Sequence, residues 1–321
     1  MARMTYAEAA RLAVAEAMRA DPRVWCLGED LGRGGVFKQY SGLVEEFGPE
    51  RISDAPISEA AIMGAAFGAA MVGTRPLVEM RFSDFALCAT DELVNQIAKA
   101  RFMFGGQSRA PMVIRKPLGM WRSSAAQHSQ SLESWYVHVP GLVVCCPATP
   151  QDNYAMLRAA IACDDPVVYL EHKDLWALEG EVDRQEVFEF GKARRRHAGD
   201  DVTIVSWSNT ANLAAEAAAS LAAQGLGADV IDLRSLWPWD KAAVLESVGR
   251  SGRLLVAHEA VQVCGFGAEV VATIAESASA KVRRLGAPRA LIAYAPNLED
   301  RLRVTAPMIA AAAAQLVKEE P

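Results

Sequence analysis

Short apolar runs alternate with helical patterns along nearly the whole of this 321-residue chain. That alternation is typical of parallel β-sheets whose strands are joined by helical crossovers. It predicts strands at Val24–Leu27, Leu77–Glu79, Met112–Arg115, Val143–Cys146, Val167–Leu170, Val202–Val205, Ala228–Asp232, Arg253–His258 and Leu291–Tyr294. It predicts helices that begin near Thr5, Glu59, Asp91 and Thr149 or cover Ala211–Ala223, Asp240–Val248, Ala268–Ala278 and Pro307–Lys318. The expected fold class is therefore α/β.

The length and the hydrophobic content of 51% suffice for two domains, since a domain usually has roughly 100–200 residues. Between Glu171 and Asp201 the pattern gives way to a charged stretch that includes the basic run 192–197. A run of like charge is usually solvated, so we expect a connection here. The expected division is residues 1–183, a linker over 184–200, and residues 201–321.

The charge and the apolar runs exclude several classes of protein. A net charge of -6 argues against binding to nucleic acid or to an acidic membrane surface. The longest apolar run, Ala60–Val72, is shorter than the roughly 20 residues that span a membrane. The N-terminus has no apolar signal core, and Thr5 with Glu8 forms a capping box. Six cysteines without a C-x-x-C pair suggest buried thiols in a reducing compartment, so we expect a cytoplasmic metabolic protein.

Glu59 is the first candidate for chemistry, because it opens a run of small and apolar residues that contains no charge. A carboxylate held where water is scarce either pairs with another group or shifts its pKa, which is how a proton-handling group is made. The alternative is structural. Ser58 would cap a helix, and Glu59 would be an acid of the first turn that the helix dipole favours.

Three further segments follow predicted strands, where open α/β sheets place their ligands. Glu29 and Asp30 follow the first strand, in a Gly-flanked pattern more typical of a turn than of a metal site. Phe85 is either a core residue or a ring on which a flat heteroaromatic ligand stacks. His128 is either an ordinary loop histidine or a group that donates and accepts protons near neutral pH.

Phosphate-binding motifs are missing from the sequence. It contains no Walker motif and no strand-linked G-x-G-x-x-G, which disfavours a nicotinamide or nucleotide enzyme. It also contains no G-x-S-x-G nucleophile elbow.

An ordered set of short motifs spans the chain instead. They are Leu27-Gly28-Glu29-Asp30, Phe47-Gly48-Pro49-Glu50-Arg51, Pro56-Ile57-Ser58-Glu59, Asp84-Phe85, Gln127-His128-Ser129-Gln130, Pro140-Gly141-Leu142 and Asp232-Leu233-Arg234-Ser235-Leu236. The set resembles the β subunit of thiamine-diphosphate-dependent 2-oxo acid dehydrogenases, the E1 component, a family that includes pyruvate, branched-chain and acetoin enzymes. The resemblance implies a transketolase-like pyrimidine-binding domain, with helices on both faces of a parallel sheet, and a transketolase C-terminal domain.

The resemblance also implies half of a cofactor site. In such α2β2 enzymes the aminopyrimidine of thiamine diphosphate lies on β, while its diphosphate and Mg lie on the α subunit. Glu59 would hydrogen-bond the aminopyrimidine and favour the imino tautomer that removes the thiazolium C2 proton, in an apolar surrounding that strengthens the bond. Phe85 would stack on the pyrimidine, Ile57 would line the pocket, and Glu29 would lie near the ring. His128 would stabilise or protonate intermediates and help transfer the acyl group to the lipoyl arm of an E2 acyltransferase.

Some relatives hold a structural potassium ion, and the resemblance carries that site to five positions of this chain. They are Met112, Ala160, Ile161, Cys163 and Asp165. Cys163 stands where the family usually has Asp, so the site would survive here only if backbone carbonyls hold the ion.

The substrate is either a 2-oxo acid or acetoin. Phe102-Met103-Phe104-Gly105-Gly106, Val113-Ile114-Arg115 and Glu171-His172-Lys173 resemble the acetoin-cleaving branch, whereas the bulky Trp121 departs from the small-residue loop of all branches. Two other functions stay open. One is a transketolase-like or synthase subunit that passes the activated aldehyde to a carbonyl acceptor, and the other is a non-catalytic scaffold paralogue.

Overall fold

Chain contacts divide the computed structural model, which describes residues 1–319, into two units. The first comprises Met1–Leu118 and Trp135–Glu189. The second comprises Gly119–Ser134 and the chain from Phe190 onward. The segment Gly119–Ser134, which carries His128, thus packs with the second unit, although by position it lies inside the first expected domain.

Parallel strands form the centre of the first unit. In chain order its elements are β1 (Ala2–Thr5), α1 (Tyr6–Ala20), β2 (Val24–Gly28), α2 (Leu43–Phe47), β3 (Ile52–Asp54), α3 (Glu59–Met71), β4 (Arg75–Glu79), α4 (Ala100–Met103), β5 (Val113–Leu118), α5 (Glu133–Val137), β6 (Val143–Cys145), α6 (Pro150–Ala162), β7 (Val167–His172) and β8 (Glu179–Val182). Six of these strands pair in parallel in the order β6-β7-β5-β4-β2-β3. β1 and β8 form a separate antiparallel pair.

Two helix starts in the first unit follow the signals in the sequence. Thr5 and Glu8 form the predicted capping box of α1, and Thr149 caps α6 ahead of Pro150. A helical segment begins near Asp91, as predicted, but it is a π-type stretch over Glu92–Ile97 followed by α4 and not one regular α-helix. The longer i→i+5 bonds of the π stretch replace the regular α-helical ladder.

The second unit contains a smaller sheet covered by helices. Its elements are β9 (Arg194–His197), β10 (Val202–Ser206), α7 (Ser208–Ala222), β11 (Ala228–Asp232), β12 (Ser235–Trp237), α8 (Lys241–Ser251), β13 (Arg253–Val261), α9 (Phe266–Ala275), β14 (Lys281–Ala287), α10 (Pro296–Glu299) and α11 (Ala306–Lys318). The sheet order is β14-β13-β10-β11-β9, parallel except for β9. α7 and α11 pack on this sheet and enclose an apolar core with it. The predicted α/β class is confirmed in both units.

Two predictions about the second unit are wrong. The last strand is β14, not Leu291–Tyr294, whose Leu291 and Tyr294 are 85% and 76% exposed. β14 was missed because it is an edge strand with three charged residues among its seven, which hide the apolar pattern.

The basic run 192–197 is also not simply a solvated connection. Its last four residues form β9, which pairs antiparallel with β11. Arg195 pairs with Asp229 at 2.9 Å and Arg196 with Asp232 at 3.1 Å, so two arginines of the run bind buried acids of β11.

The cysteines are only partly as predicted. Cys26, Cys145 and Cys146 are buried free thiols, Cys163 is half-buried, and Cys88 and Cys264 are exposed. Among residues 1–319, no helix is long and apolar enough to cross a membrane.

Candidate functional site

Three adjacent strands bring the four predicted cofactor-binding residues to one edge of the first sheet. β2 lies between β3 and β4, and Gly28 at its end pairs with both Asp54 and Glu79. The approach to β4 is close, because a Cβ on Gly28 would lie 2.6 Å from the Glu79 carbonyl oxygen. Since the three strands are parallel, the segments that follow them emerge side by side.

Glu59 is the first residue of α3, in the segment that follows β3. Ser58 does not cap the helix with its side chain, because its Oγ donates to the Pro56 carbonyl oxygen at 3.2 Å. The half-buried Glu59 carboxylate has no hydrogen-bond or ion-pair partner among residues 1–319. A carboxylate so placed is available to a hydrogen-bond donor of a ligand.

Glu29 and Asp30 follow β2 and share one arginine. Arg81 Nη1 lies 2.5 Å from Asp30 Oδ2 and 3.5 Å from Glu29 Oε2. Burial raises the pKa of Glu29, Arg81 opposes this, and the neighbouring Glu59 carboxylate raises it further. Gly28 pairs with Asp54, so Glu29 and the segment that leads to Glu59 leave neighbouring strand ends. Asp30 has a left-handed φ of 58° at the start of a short 3-10 turn, as the predicted turn requires.

Two apolar side chains lie next to α3, the helix that Glu59 begins. Ile57 is 78% exposed, just ahead of α3. Phe85 begins the 3-10 turn Phe85–Ala89 after β4, which packs against α3, and its half-buried ring lies 5.8 Å from that of Phe82. An exposed aliphatic group, an accessible aromatic ring and an unpaired carboxylate fit a flat heteroaromatic ring with N–H donors.

His128 lies in the irregular segment Gly119–Ser134, which belongs to the second unit. Its side chain is half-buried, and its backbone N–H donates to the Ala125 carbonyl oxygen at 3.4 Å. The next side chain, Ser129, is 1% exposed, and its Oγ has no hydrogen-bond partner within residues 1–319. Trp121 is half-buried too, with the Arg122 guanidinium 5.3 Å from its ring centroid.

A buried ion network beneath the first sheet edge was not predicted. Arg115 on β5 is fully buried and binds Glu171 of β7 through two bonds of 2.7 and 2.8 Å. Its Nη1 lies 3.8 Å from Glu79, which also accepts a bond of 2.9 Å from the Tyr40 hydroxyl. Burial raises the pKa of Glu79 to about 7, against the opposing effect of Arg115. Charged residues inside strands that otherwise read as apolar were the available signal.

The positions implied for potassium lie around the C-terminal end of α6, and an arginine already occupies part of this region. Arg75 donates to the carbonyl oxygens of Ile161 at 3.0 Å and of Cys163 at 2.7 Å. Its guanidinium also pairs with Asp164 at 3.1 Å. A protein cation therefore lies where the charge of the ion would act.

The other three positions are engaged as well. Asp165 pairs with Arg101 at 2.5 Å, and the carbonyl oxygens of Met112 and Ala160 accept backbone bonds of 2.9 and 3.2 Å. Each of the five positions therefore already has a contact within the protein. Among residues 1–319 there is also no cluster of three or more His, Cys, Asp or Glu side chains that could hold a metal ion.

Comparison with known proteins identifies both units. The family described as "Transketolase, pyrimidine binding domain" matches residues 2–177, and "Transketolase, C-terminal domain" matches residues 191–309. A solved chain described as "Split gene transketolase, inactive beta4 tetramer" is similar with a TM-score of 0.84 and 25% identity, over 98% of both chains. The fold and the strand-end site thus define a protein of the transketolase class.

Sequence relatives narrow this class. The chain is 38% identical to the 2-oxoisovalerate dehydrogenase subunit beta of Bacillus subtilis, over 99% of this chain and 100% of the relative. It is 41% identical to the acetoin:2,6-dichlorophenolindophenol oxidoreductase subunit beta of Cupriavidus necator, over 95% of each. It is 40% identical to the pyruvate dehydrogenase E1 component subunit beta of Rhizobium meliloti, over 93% of this chain and 66% of the relative. The chain belongs to the family of E1 β subunits of thiamine-diphosphate-dependent 2-oxo acid and acetoin dehydrogenases.

Proposed function

We propose that this chain is the β subunit of an α2β2 E1 enzyme that decarboxylates a 2-oxo acid or cleaves acetoin and transfers the acyl group to the lipoyl arm of an E2 acyltransferase. The observation that carries the proposal is the unpartnered Glu59 carboxylate at the shared end of three parallel strands, near Glu29 and Phe85. The relatives are named as β subunits, which supports an α partner, and the "E1 component" in the name of the Rhizobium meliloti relative supports an E2 partner.

Each residue at this edge has a distinct part in the proposal. Glu59 accepts a hydrogen bond from the aminopyrimidine ring, Phe85 stacks on the ring, and Ile57 closes one side. Glu29 adds a second carboxyl group, which Arg81 holds in place. When bound, thiamine diphosphate supplies an acidic thiazolium carbon that becomes a nucleophile toward a carbonyl group.

The second part of the proposal concerns proton transfer. His128 donates and accepts protons during release and transfer of the acyl group, as an imidazole near neutral pH can do. The chain lacks the Gly-Asp-Gly motif with paired asparagines, so Mg and the diphosphate are assigned to the α partner.

The proposal includes potassium binding at the end of α6 as a secondary feature. The ion would share the carbonyl oxygens of Ile161 and Cys163 with Arg75, which already donates to both. A melting temperature of the co-expressed pair that rises in KCl but not in NaCl would support it. Equal melting temperatures in the two salts would exclude it.

The central test uses this chain co-expressed with its α partner and loaded with thiamine diphosphate. In Glu59→Gln, exchange of the C2 proton should slow by roughly 10²- to 10⁴-fold, the usual worth of a positioned acid–base group. Glu45→Gln is a matched control, because Glu45 is an exposed acid in the first turn of α2. It should leave exchange within about twofold. Near-normal exchange in Glu59→Gln would refute the role of Glu59.

The substrate is tested by a screen of the loaded pair. Pyruvate, branched-chain 2-oxo acids and acetoin are compared, since the three relatives have similar identities to this chain. If Trp121 restricts access, Trp121→Ala should broaden the range of substrates accepted.

The similarity to a split-gene transketolase favours one alternative, a subunit that passes the activated aldehyde to a carbonyl acceptor. Assays of the loaded pair with lipoamide and with aldehyde acceptors separate the two functions. Turnover with aldehyde acceptors alone would replace our proposal. Failure of the pair to bind thiamine diphosphate would instead indicate a scaffold.

A further inference from the structure

The segment Gly119–Ser134, hereafter the His128 segment, holds an unfavourable backbone conformation. Arg122, Ser123 and Ala125 have φ angles of 45°, 60° and 63°, in the left-handed region that residues with a side chain rarely adopt. Only the start of α5 at its end is regular secondary structure. Such a conformation persists only where surrounding contacts impose it.

Glu259 on β13 supplies contacts to both ends of this segment. Its Oε1 accepts a bond of 2.7 Å from the Met120 backbone N–H and one of 3.3 Å from the Ser131 hydroxyl. Hydrogen bonds to a carboxylate are stronger than those between neutral groups. One carboxylate oxygen therefore fixes the two ends of the segment to a strand of the sheet.

The packing around the middle of the segment is incomplete. A cavity of about 90 Å³ lies within the second unit, between this segment and the rest of the unit, and its lining includes Ala126, Ser129, Val261 and Ile292. The buried Ser129 hydroxyl has no partner within residues 1–319. Because a cavity forfeits dispersion contacts, this part of the segment is held less by packing than a close-packed interior would be.

We infer that Glu259 is a positioning residue, which fixes the His128 segment and thereby the imidazole that acts in acyl transfer. The inference rests on the proposed function. It assigns Glu259 no contact with substrate or cofactor. His258, which precedes Glu259 on β13, supports the C-terminal end of the segment indirectly. It stacks on Trp207, whose Nε1 donates to Glu133 at 3.0 Å.

The first experiment separates positioning from general damage in the loaded, co-expressed pair. In Glu259→Ala, kcat for acyl transfer to lipoamide should fall roughly 10- to 100-fold, as small misplacement of a catalytic group does. C2 proton exchange, which we assign to Glu59, should stay within about twofold. In Glu259→Gln, the side-chain oxygen still accepts both bonds, so acyl transfer should recover to within about threefold of the parent.

Glu269→Gln is the matched control. Glu269 is on α9, and its side chain has only one hydrogen bond within residues 1–319, an exposed bond of 3.2 Å from Thr273. It should change neither rate. Equal losses of exchange and transfer in Glu259→Ala, or no loss of transfer, would overturn the inference.

A second measurement does not depend on the proposed activity. Hydrogen–deuterium exchange of the same complexes should show faster exchange at 119–134 in Glu259→Ala and parent-like exchange in Glu259→Gln. Unchanged exchange in both variants would overturn the positioning role. Faster exchange at 119–134 in a pair that shows no acyl transfer in any variant would instead refute the proposed function while keeping the role of Glu259 in the fold.

Discussion

The two units hold their candidate residues in different ways. In the first, Glu29 and Glu59 follow strands β2 and β3, so the hydrogen-bonded sheet itself sets their positions. In the second, His128 lies on an irregular segment that tertiary contacts from Glu259 and Trp207 hold in place. A site built on strand ends depends on the sheet interior, whereas a site on a tethered segment depends on a few polar contacts.

This difference predicts how each site fails. Damage to the interior of the first sheet should affect the stability of the whole unit, because the buried network of Arg115 joins β4, β5 and β7. Damage to the contacts of the His128 segment should affect local order and acyl transfer first. Four substitutions test the comparison.

Arg115→Met should have the largest effect. It removes the cation between Glu79 and Glu171 and leaves two buried carboxylates without it. Removing one partner of a buried ion pair lowers the free energy of unfolding by about 3–5 kcal/mol. Urea unfolding of the chain would measure this loss. Arg3→Met is the control, because the Arg3–Glu179 pair is exposed and its loss should change stability little. A small effect of Arg115→Met would show that the first sheet does not depend on this network.

His128→Ala tests the tethered segment itself. Acyl transfer by the loaded pair should fall roughly 10²-fold, while the free energy of unfolding should stay within about 1 kcal/mol, since the side chain is only half-buried. Stopped-flow transfer assays and urea unfolding measure the two quantities. If unfolding changed as much as transfer, His128 would be a structural residue, and the contrast between the two units would fail.

The sequence predicted the fold class and two of the strands that lead into the site, because buried parallel strands read as apolar runs. Glu29 and Phe85 follow predicted strands, whereas Ile57 and Glu59 follow β3, which the apolar pattern did not predict. The pairing of β2 with both β3 and β4 places all four at one end of the sheet. Resemblance to a family, and not periodicity, assigned their roles.

Other features could not be predicted from local patterns. β14 has charged residues along an edge, and its apolar signal is too weak to distinguish it from a loop. The link between Glu259 and Met120 joins residues far apart in the chain, and no spacing rule reports it. The same holds for the capture of α6 carbonyls by Arg75.

Glu79→Gln should have a moderate effect that depends on pH. The pKa of Glu79 is about 7 in the folded chain, raised mainly by burial from an ordinary 4.5. Between these values the folded state keeps a proton that the unfolded state releases, so the free energy of unfolding falls as pH rises through this window. The loss is on the order of 1–3 kcal/mol and should disappear in Glu79→Gln. Glu50→Gln, at an exposed position, should keep the parent slope, and urea unfolding at pH 5 and 7.5 measures it.

Trp207→Phe should have the smallest effect, and it compares the two units directly. Phe keeps a ring over His258 but removes the indole N–H that donates to Glu133 at the end of the His128 segment. Loss of one such bond costs about 1 kcal/mol. We expect faster hydrogen–deuterium exchange confined to the His128 segment and the start of α5.

Trp25→Phe is the matched control for that change in the first unit. It removes an indole bond of 3.1 Å to Thr74 on the margin of the first sheet. Because the strand ladder holds the segments after β2 and β3 independently of this bond, their exchange should stay at the parent rate. The contrary result would be that Trp25→Phe accelerates exchange in the Glu59 region as much as Trp207→Phe does in the His128 segment. Strand ends would then hold site residues no more rigidly than tethered loops do in this chain.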